Sequence, residues 1–318
     1  MIESSGKKPL VVALFGPTAV GKSRVAFEVA QLCGGEIVSA DSMQVYRGLP
    51  VLTDQPDSAM LSAVPHHLVG AIGLEEEYSA ARFAGEAAAL IEGISEHGHL
   101  SLLVGGTGLY IRSLLGGFSF SGQPDQEARN RWQEFIRTEG LAAAIRELER
   151  LDPEAAAAID RNNPRRLLRA LEAAEAAASG HGRSVSAERQ RLWSAESPYR
   201  VKSFGLTAPR AEIYRLIEER VDTMLAGGAI EEVRAARLAE VSRTASRAIG
   251  FPEISSYLDG LIGIGDAAAA IKQKSRRYAK RQLTWMRKMP DIVRIDVAGS
   301  TTASVAQAII DRINDRTD

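Results

Sequence analysis

The chain alternates short, wholly apolar runs with longer amphipathic ones. Leu10–Phe15 is an unbroken apolar run, and Gly16–Ser23 follows it as a glycine-punctuated loop. Such a run, apolar on both faces, predicts a buried parallel strand. Arg24–Leu32 predicts a helix, closed by Gly34-Gly35. Glu36–Ala40 predicts a second strand that ends at Asp41. Residues 47–78 carry several prolines and little periodicity, and read mostly as loop. Ser79–Glu96 predicts a helix with a serine N-cap and an alanine-rich face. Leu100–Val104, Val201–Thr207 and Ile292–Ile295 complete the strands.

This alternation predicts an α/β fold, a parallel sheet flanked by helices, and the glycine-punctuated loop between the first strand and helix makes it P-loop NTPase-like. Ligands of such sheets sit at the carboxyl ends of the strands. Those ends carry Gly16–Ser23, Asp41 and Gly105–Thr107. Residues 122–198 interrupt the pattern with no strand and much Ala, Arg and Glu, predicting an all-helical insertion domain. The core is then residues 1–121 and 199–318. From Pro209 to Lys288 the pattern is again helical.

Composition narrows the classes. The 318 residues are 45% hydrophobic and 25% charged, enough for a sizeable core. The formal net charge is −1, so nucleic acid would be held by local patches and not by a global field. A single cysteine, Cys33, excludes an internal disulfide and fits a reducing compartment; packing is its expected role. The run at Leu10–Phe15 is too short for a signal-peptide core or a membrane span, so a cytoplasmic location is expected.

Gly16-Pro17-Thr18-Ala19-Val20-Gly21-Lys22-Ser23 matches the P-loop pattern, with a strand before it and a helix after it. Backbone N–H groups and the helix N-terminus face phosphate oxygens there. Lys22 adds a point charge, and the Ser23 hydroxyl can hold Mg²⁺. An NTPase usually adds a carboxylate at the end of a second apolar strand. Leu100–Val104 ends instead in Gly105-Gly106-Thr107-Gly108, which speaks for a polyphosphate ligand and against a kinase or ATPase. Asp41 can bind a metal, act as a general base, or cap a turn. Adjacent His66 and His67 cannot share one strand or helix face as metal ligands, and no Cys/His set has zinc spacing, so no structural metal is expected. Trp132, Trp193 and Trp285 read as packing residues. The stretch Lys272–Lys288 is basic without one acid, and Arg277, Lys280, Arg281 and Lys288 recur at near-helical spacing. Such a stripe is a solvated helix face or a phosphate-contacting one.

The P-loop, Asp41-Ser42-Met43-Gln44-Val45-Tyr46, Val64-Pro65-His66-His67-Leu68, Val104–Tyr110 and Arg281-Gln282-Leu283-Thr284-Trp285 together resemble the tRNA dimethylallyltransferase (isopentenyltransferase) family, in order from about residue 10 to 290. The resemblance implies transfer of a dimethylallyl group from its pyrophosphate to the exocyclic amine of the adenine just 3′ of the tRNA anticodon. It implies Mg²⁺, a P-loop donor site to which Arg220 can add charge, Asp41 as base, and Thr107 at the tRNA substrate. It further implies tRNA contacts from Asp41, Ser42, Met43 and Gln44, from Arg129, from Arg165, Arg166 and Arg169, from Arg247, and from Arg277 and Arg281. The insertion would clamp the anticodon stem-loop, and the protein is expected to be a monomer. Two departures stand out: Asp54-Gln55 where the family often has Ala-Lys, and Phe251 where Tyr is commoner. The competing readings are an isopentenyltransferase acting on free AMP or ADP, a P-loop nucleotide kinase, and an RNA-binding module without chemistry. The helical insertion and three basic clusters argue against the first, and a base facing the P-loop against the last.

Overall fold

The computed structural model describes residues 8–116, 126–180, 196–289 and 291–315. Trp193, the polar N-terminus before Lys8 and the insertion's opening at 122–125 lie outside these residues.

The strands are β1 (Leu10–Phe15), β2 (Gly35–Ser39), β3 (His66–His67), β4 (Leu100–Gly105), β5 (Arg200–Thr207) and β6 (Ile292–Asp296). They form one sheet in the order β3-β2-β4-β1-β5-β6, and every pair is parallel. The helices are α1 (Lys22–Cys33), α2 (Pro50–Thr53), α3 (Ser58–Ala63), α4 (Ala80–Glu96), α5 (Gly108–Leu115), α6 (Gln126–Leu151), α7 (Pro153–Ala158), α8 (Pro164–Ala178), α9 (Arg210–Ala226), α10 (Ala229–Ala236), α11 (Phe251–Leu258), α12 (Ile264–Met286) and α13 (Thr302–Asn314).

The apolar runs are buried because both faces of the sheet are covered. Val11, Ala13 and Phe15 of β1 pack with Leu103 of β4, Phe83, Ala87 and Ile91 of α4, and Ile111 of α5. The alternate residues Val12 and Leu14 pack with Leu102, Phe204, Val25 and Val29 of α1, and Val305 and Ile309 of α13. Each fully buried Val, Leu, Ile or Phe among them contributes roughly 1.5–3 kcal/mol of burial free energy. A third apolar cluster joins α9, α10, α11 and α12, and includes Phe251 at 7% exposure. The hydroxyl of a tyrosine there would have to find a partner, which the phenylalanine does not need.

The stretch 47–78 is mostly loop, as the sequence predicts, but it also carries two short helices and the two-residue strand β3. Backbone pairing with β2 forms β3, at Ile37–His66 and Val38–His67, so no local periodicity announces it. α2 is held from outside: the Glu232 carboxylate of α10 accepts from Val51 N and Leu52 N at 2.8 and 2.9 Å. α4 starts as expected, with the Ser79 hydroxyl accepting from Arg82 N at 3.2 Å.

Two compact units result: residues 1–115 with 197–318, and Gly116–Glu196. In the second, α6, α7 and α8 enclose Ala144, Leu148, Leu167 and Leu171. α6 breaks at Gly140, whose φ is 80°. No helix among the described residues is long and apolar enough to cross a membrane.

Candidate functional site

Because β4 lies between β2 and β1, the loops after these three strands adjoin at one rim. The P-loop follows β1, Asp41 follows β2, and Gly106-Thr107 follows β4. The loops are stitched together by backbone bonds: Ala40 N donates to Val104 O at 2.7 Å, and Thr107 N to Ala40 O at 3.2 Å.

The P-loop bends through left-handed conformations at Ala19 (φ 66°) and Gly21 (φ 88°), then enters α1 at Lys22 and Ser23. Lys22 Nζ donates to Pro17 O at 2.7 Å. Its pKa is lowered from 10.5 to about 8; burial is the main cause, the Asp41 carboxylate opposes it, Arg220 lowers it further, and Asp54 raises it. The residue as a whole is only half-buried, so it is the ammonium end that is enclosed.

Arg220 of α9 is not a free surface side chain. Its Nη1 donates to the Thr18 hydroxyl, and its Nε stands 3.4 Å from the Asp54 carboxylate. The cations Lys22 and Arg220 thus meet two carboxylates, Asp41 and Asp54.

Asp41 Oδ1 accepts from Met43 N at 2.9 Å, a local turn that fixes the carboxylate at the strand end. The Thr107 hydroxyl accepts from Ser42 N at 3.2 Å. Gln44 points the other way: its Nε2 donates to Asp54 O at 2.6 Å and its Oε1 accepts from the Ser39 hydroxyl at 3.1 Å. A ligand at this carboxamide would have to displace the Asp54 carbonyl. Gln55 Nε2 in turn donates to Gln44 O and Tyr46 O at 2.9 and 2.8 Å, so Asp54-Gln55 builds the turn that carries Asp41–Gln44.

Two residues of α12 complete the rim, and sequence reasoning assigned neither a role. Gln282 is 2% exposed. Its Oε1 accepts from Thr18 N at 2.8 Å and its Nε2 donates to Gly106 O at 3.2 Å. The Tyr278 side chain lies beside Thr107 and Gln282, and burial of its hydroxyl with the nearby Asp41 raises its pKa. A Cβ on Gly106 would fall 1.8 Å from Gln282 Nε2, so only glycine admits this side chain. Trp285 lies against Gly108, where an added Cβ would be 2.6 Å from its ring, and is therefore a packing residue.

The basic run divides. Lys272 pairs with Asp222 at 2.7 Å, Arg276 with Glu218 at 2.9 Å, and Lys274 with Glu253. The acids that the run itself lacks come from α9 and α11. Arg277, Lys280, Arg281 and Lys288 are exposed. The Arg281 guanidinium lies 5.6 Å from the Tyr278 ring centroid. Arg210, Lys280, Arg287 and Arg294 surround a cavity of about 390 Å³ floored by Ile213, Leu283 and Met286. None of these four cations makes an ion pair among the described residues. Arg247 is exposed at the end of a 3₁₀ turn, Ala245–Arg247.

In the second unit, Arg165, Arg166 and Arg169 are exposed on α8, which Asn163 caps through Arg166 N at 3.2 Å. Arg129 stands 3.9 Å from Glu172, whose pKa burial raises against the charges of Arg129 and Arg169. Trp132 donates to Glu175 at 2.7 Å.

Away from the rim, His67 Nε2 and His99 Nδ1 each bond one Glu36 oxygen, at 2.7 and 2.6 Å. No group of three or more His, Cys, Asp or Glu side chains suited to a metal ion occurs among the described residues.

A family model described as IPP transferase matches residues 44–289, and one described as isopentenyl transferase matches residues 9–69. The chain is 40% identical over 294 residues to a tRNA dimethylallyltransferase of Geobacter sulfurreducens, covering 92% of this chain and 93% of the relative. It is 42% identical over 279 residues to one of Geobacillus thermodenitrificans, covering 87% of each. Among solved structures, the tRNA isopentenylpyrophosphate transferase of Bacillus halodurans superposes with a TM-score of 0.70 at 35% identity, covering 96% of both chains. A eukaryotic dimethylallyltransferase crystallised acting on tRNA gives 0.78 at 26% identity, covering 98% of this chain and 79% of that one. With its P-loop, its Asp41 turn and its Gly105–Thr107 loop gathered at one sheet rim, the chain belongs to the IPP transferase family.

Proposed function

We propose that this protein is a tRNA dimethylallyltransferase. It transfers the dimethylallyl group from dimethylallyl pyrophosphate to the N6 amine of the adenine 3′ of the anticodon. The observation that carries this reading is the pairing, across β4, of a phosphate-binding loop with a carboxylate and a threonine, in a chain 40% identical to named tRNA dimethylallyltransferases.

The pyrophosphate lies in Gly16–Ser23, against Lys22 and Arg220. The N6 lone pair forms the new C–N bond at the allylic C1 while the C1–O bond breaks. Its electrons leave on pyrophosphate, and the N6 proton passes to Asp41. Negative charge grows on the leaving group, where the P-loop N–H donors, Lys22 and Arg220 are fixed in advance. An exocyclic amine is a weak nucleophile, so a positioned base is worth about 10²–10⁴ in rate. Thr107, held by Ser42 N, orients the acceptor.

Mg²⁺ suits the donor set, because the Ser23 hydroxyl, pyrophosphate oxygens and water are hard oxygen ligands. When bound, the ion supplies charge neutralisation on the leaving pyrophosphate.

The acceptor adenine must leave its stack to reach Asp41, at a cost of a few kcal/mol. Unpaired cations on α12 and around the 390 Å³ cavity supply phosphate contacts on the core. Arg247, exposed on its 3₁₀ turn, adds a further phosphate contact, and Arg129, Arg165, Arg166 and Arg169 offer a second basic surface on the helical unit, which clamps the anticodon stem-loop. The protein acts as a cytoplasmic monomer.

The test is pyrophosphate release with donor, Mg²⁺ and an unmodified anticodon stem-loop. One pyrophosphate per target adenine, dependent on the RNA, is expected. RNA-independent hydrolysis of ATP in its place would return the P-loop to nucleotide hydrolysis.

A further inference from the structure

Gln282 stands in the Arg281–Trp285 motif, yet the donor and acceptor readings give its side chain no role. It is buried in α12, yet both ends of its carboxamide are hydrogen-bonded. The oxygen takes the Thr18 N–H of the P-loop at 2.8 Å. The nitrogen gives one hydrogen to the Gly106 carbonyl at 3.2 Å, and Tyr278 lies beside it and Thr107. The orientation is fixed by its neighbours. A flipped amide would set NH₂ against the Thr18 N–H and oxygen against the Gly106 carbonyl, losing both bonds. Gly106 and Gln282 are also matched sterically, since a Cβ at residue 106 would meet the amide at 1.8 Å.

We infer that Gln282 is a positioning residue that couples the donor loop to the acceptor side of the site. One carboxamide sets both the P-loop at Thr18 and, through Gly106 and Tyr278, the hydroxyl of Thr107. Thr18–Gln282–Gly106 is a hydrogen-bonded path from the pyrophosphate loop to the residue before Thr107, whose hydroxyl holds the segment bearing Asp41 at Ser42 N, and Tyr278 lies beside both Gln282 and Thr107. Buried polar networks of this kind act as units, and their members are not independent. A near-attack geometry tolerates little misplacement, so a rim set at one point keeps C1 of the donor in line with the acceptor amine. This inference rests on the donor and acceptor assignment proposed above.

Two variants test it. Gln282→Met keeps the length and removes every hydrogen bond. Tyr278→Phe keeps the ring and removes only the hydroxyl, so it remains informative if Gln282→Met fails to fold. Both are measured by single-turnover prenyl transfer to stem-loop RNA, by calorimetric titration with pyrophosphate, and by thermal melting. Gln282→Met is expected to slow transfer by roughly tenfold or more and to weaken pyrophosphate binding. Tyr278→Phe is expected to slow transfer while leaving pyrophosphate binding unchanged. The double variant is expected to be no slower than Gln282→Met alone. Variants that melt lower but transfer at the wild-type rate per folded molecule would make Gln282 a packing residue and overturn the inference, as would fully multiplicative losses. Absence of transfer by the wild-type protein would refute the assignment on which it rests.

Discussion

Lys22 is the most perturbed cation of the P-loop, and its chemistry gives a pH signature. Its pKa falls from 10.5 to about 8 because burial disfavours the ammonium. Below pH 8 the side chain carries the charge that pyrophosphate needs; above it the charge is lost. Pyrophosphate affinity should therefore fall as pH rises through about 8, with proton uptake on binding, both read by calorimetry in buffers of different ionisation heat. Between about 8 and 10.5 the unfolded chain holds a proton that the fold has shed, so Lys22 makes the fold more stable as pH rises there. An affinity flat across that window would contradict the burial argument. Asp54 acts on the same charges from an exposed position. Asp54→Asn keeps an acceptor for Arg220 and removes the negative charge that competes with pyrophosphate. The expected result is a two- to fivefold tighter pyrophosphate Kd at low salt, an effect of the size of an exposed ion pair, about 0.2–1 kcal/mol. Weaker binding would mean that Asp54 chiefly orients Arg220. Gln44, whose carboxamide already holds the Asp54 carbonyl, tests the acceptor side. Gln44→Ala should reduce turnover of tRNA far more than binding of the donor, and equal losses would refute its role there.

At the scale of elements, the strands and the P-loop helix could be read directly from apolar runs and glycine punctuation. Burial on both faces leaves no ambiguity of period in β1 or β4. β3, α2 and α3 could not be read. They are short and are held by partners distant in sequence: β2 for the first, the Glu232 carboxylate for the second. The same reason hid half of the site. Asp41 and the P-loop follow predicted strands, so their side of the sheet was legible. Arg220 and Gln282 reach Thr18 from helices 202 and 264 residues away, and no spacing rule encodes that; the family resemblance alone put Arg220 at the donor site, and it gave Gln282 no role. The α12 stripe was legible as charge, but its split into paired and unpaired halves depends on Asp222, Glu218 and Glu253 of other helices. That split carries a prediction. Lys280→Ala and Arg287→Ala should each weaken stem-loop binding and lower the salt slope of log K by about 1. Lys272→Ala should leave the slope unchanged, because its charge is already met by Asp222. Equal slopes for all three, measured by fluorescence anisotropy across a salt series, would contradict this division.

For the whole molecule, a net charge of −1 means that RNA is not drawn in by a global field. Binding must come from basic surfaces on each unit, and chemistry from the sheet rim of one. Arg165, Arg166 and Arg169 are exposed on the helical unit, so replacing all three with alanine should raise the KM for tRNA by tenfold or more while pyrophosphate binding stays at the wild-type value. A loss of both would show that the triple change damages the core. The central claim is that the P-loop serves a prenyl pyrophosphate whose acceptor is an adenine in RNA. The most direct measurement is mass spectrometry after incubation with Mg²⁺ and dimethylallyl pyrophosphate, with unmodified anticodon stem-loop RNA in one tube and free AMP in another. The account predicts a single dimethylallyl adduct on the RNA adenine, none on AMP, and none on RNA with Asp41→Ala. An adduct on AMP alone would contradict it, and would make the protein an adenylate isopentenyltransferase with incidental basic surfaces.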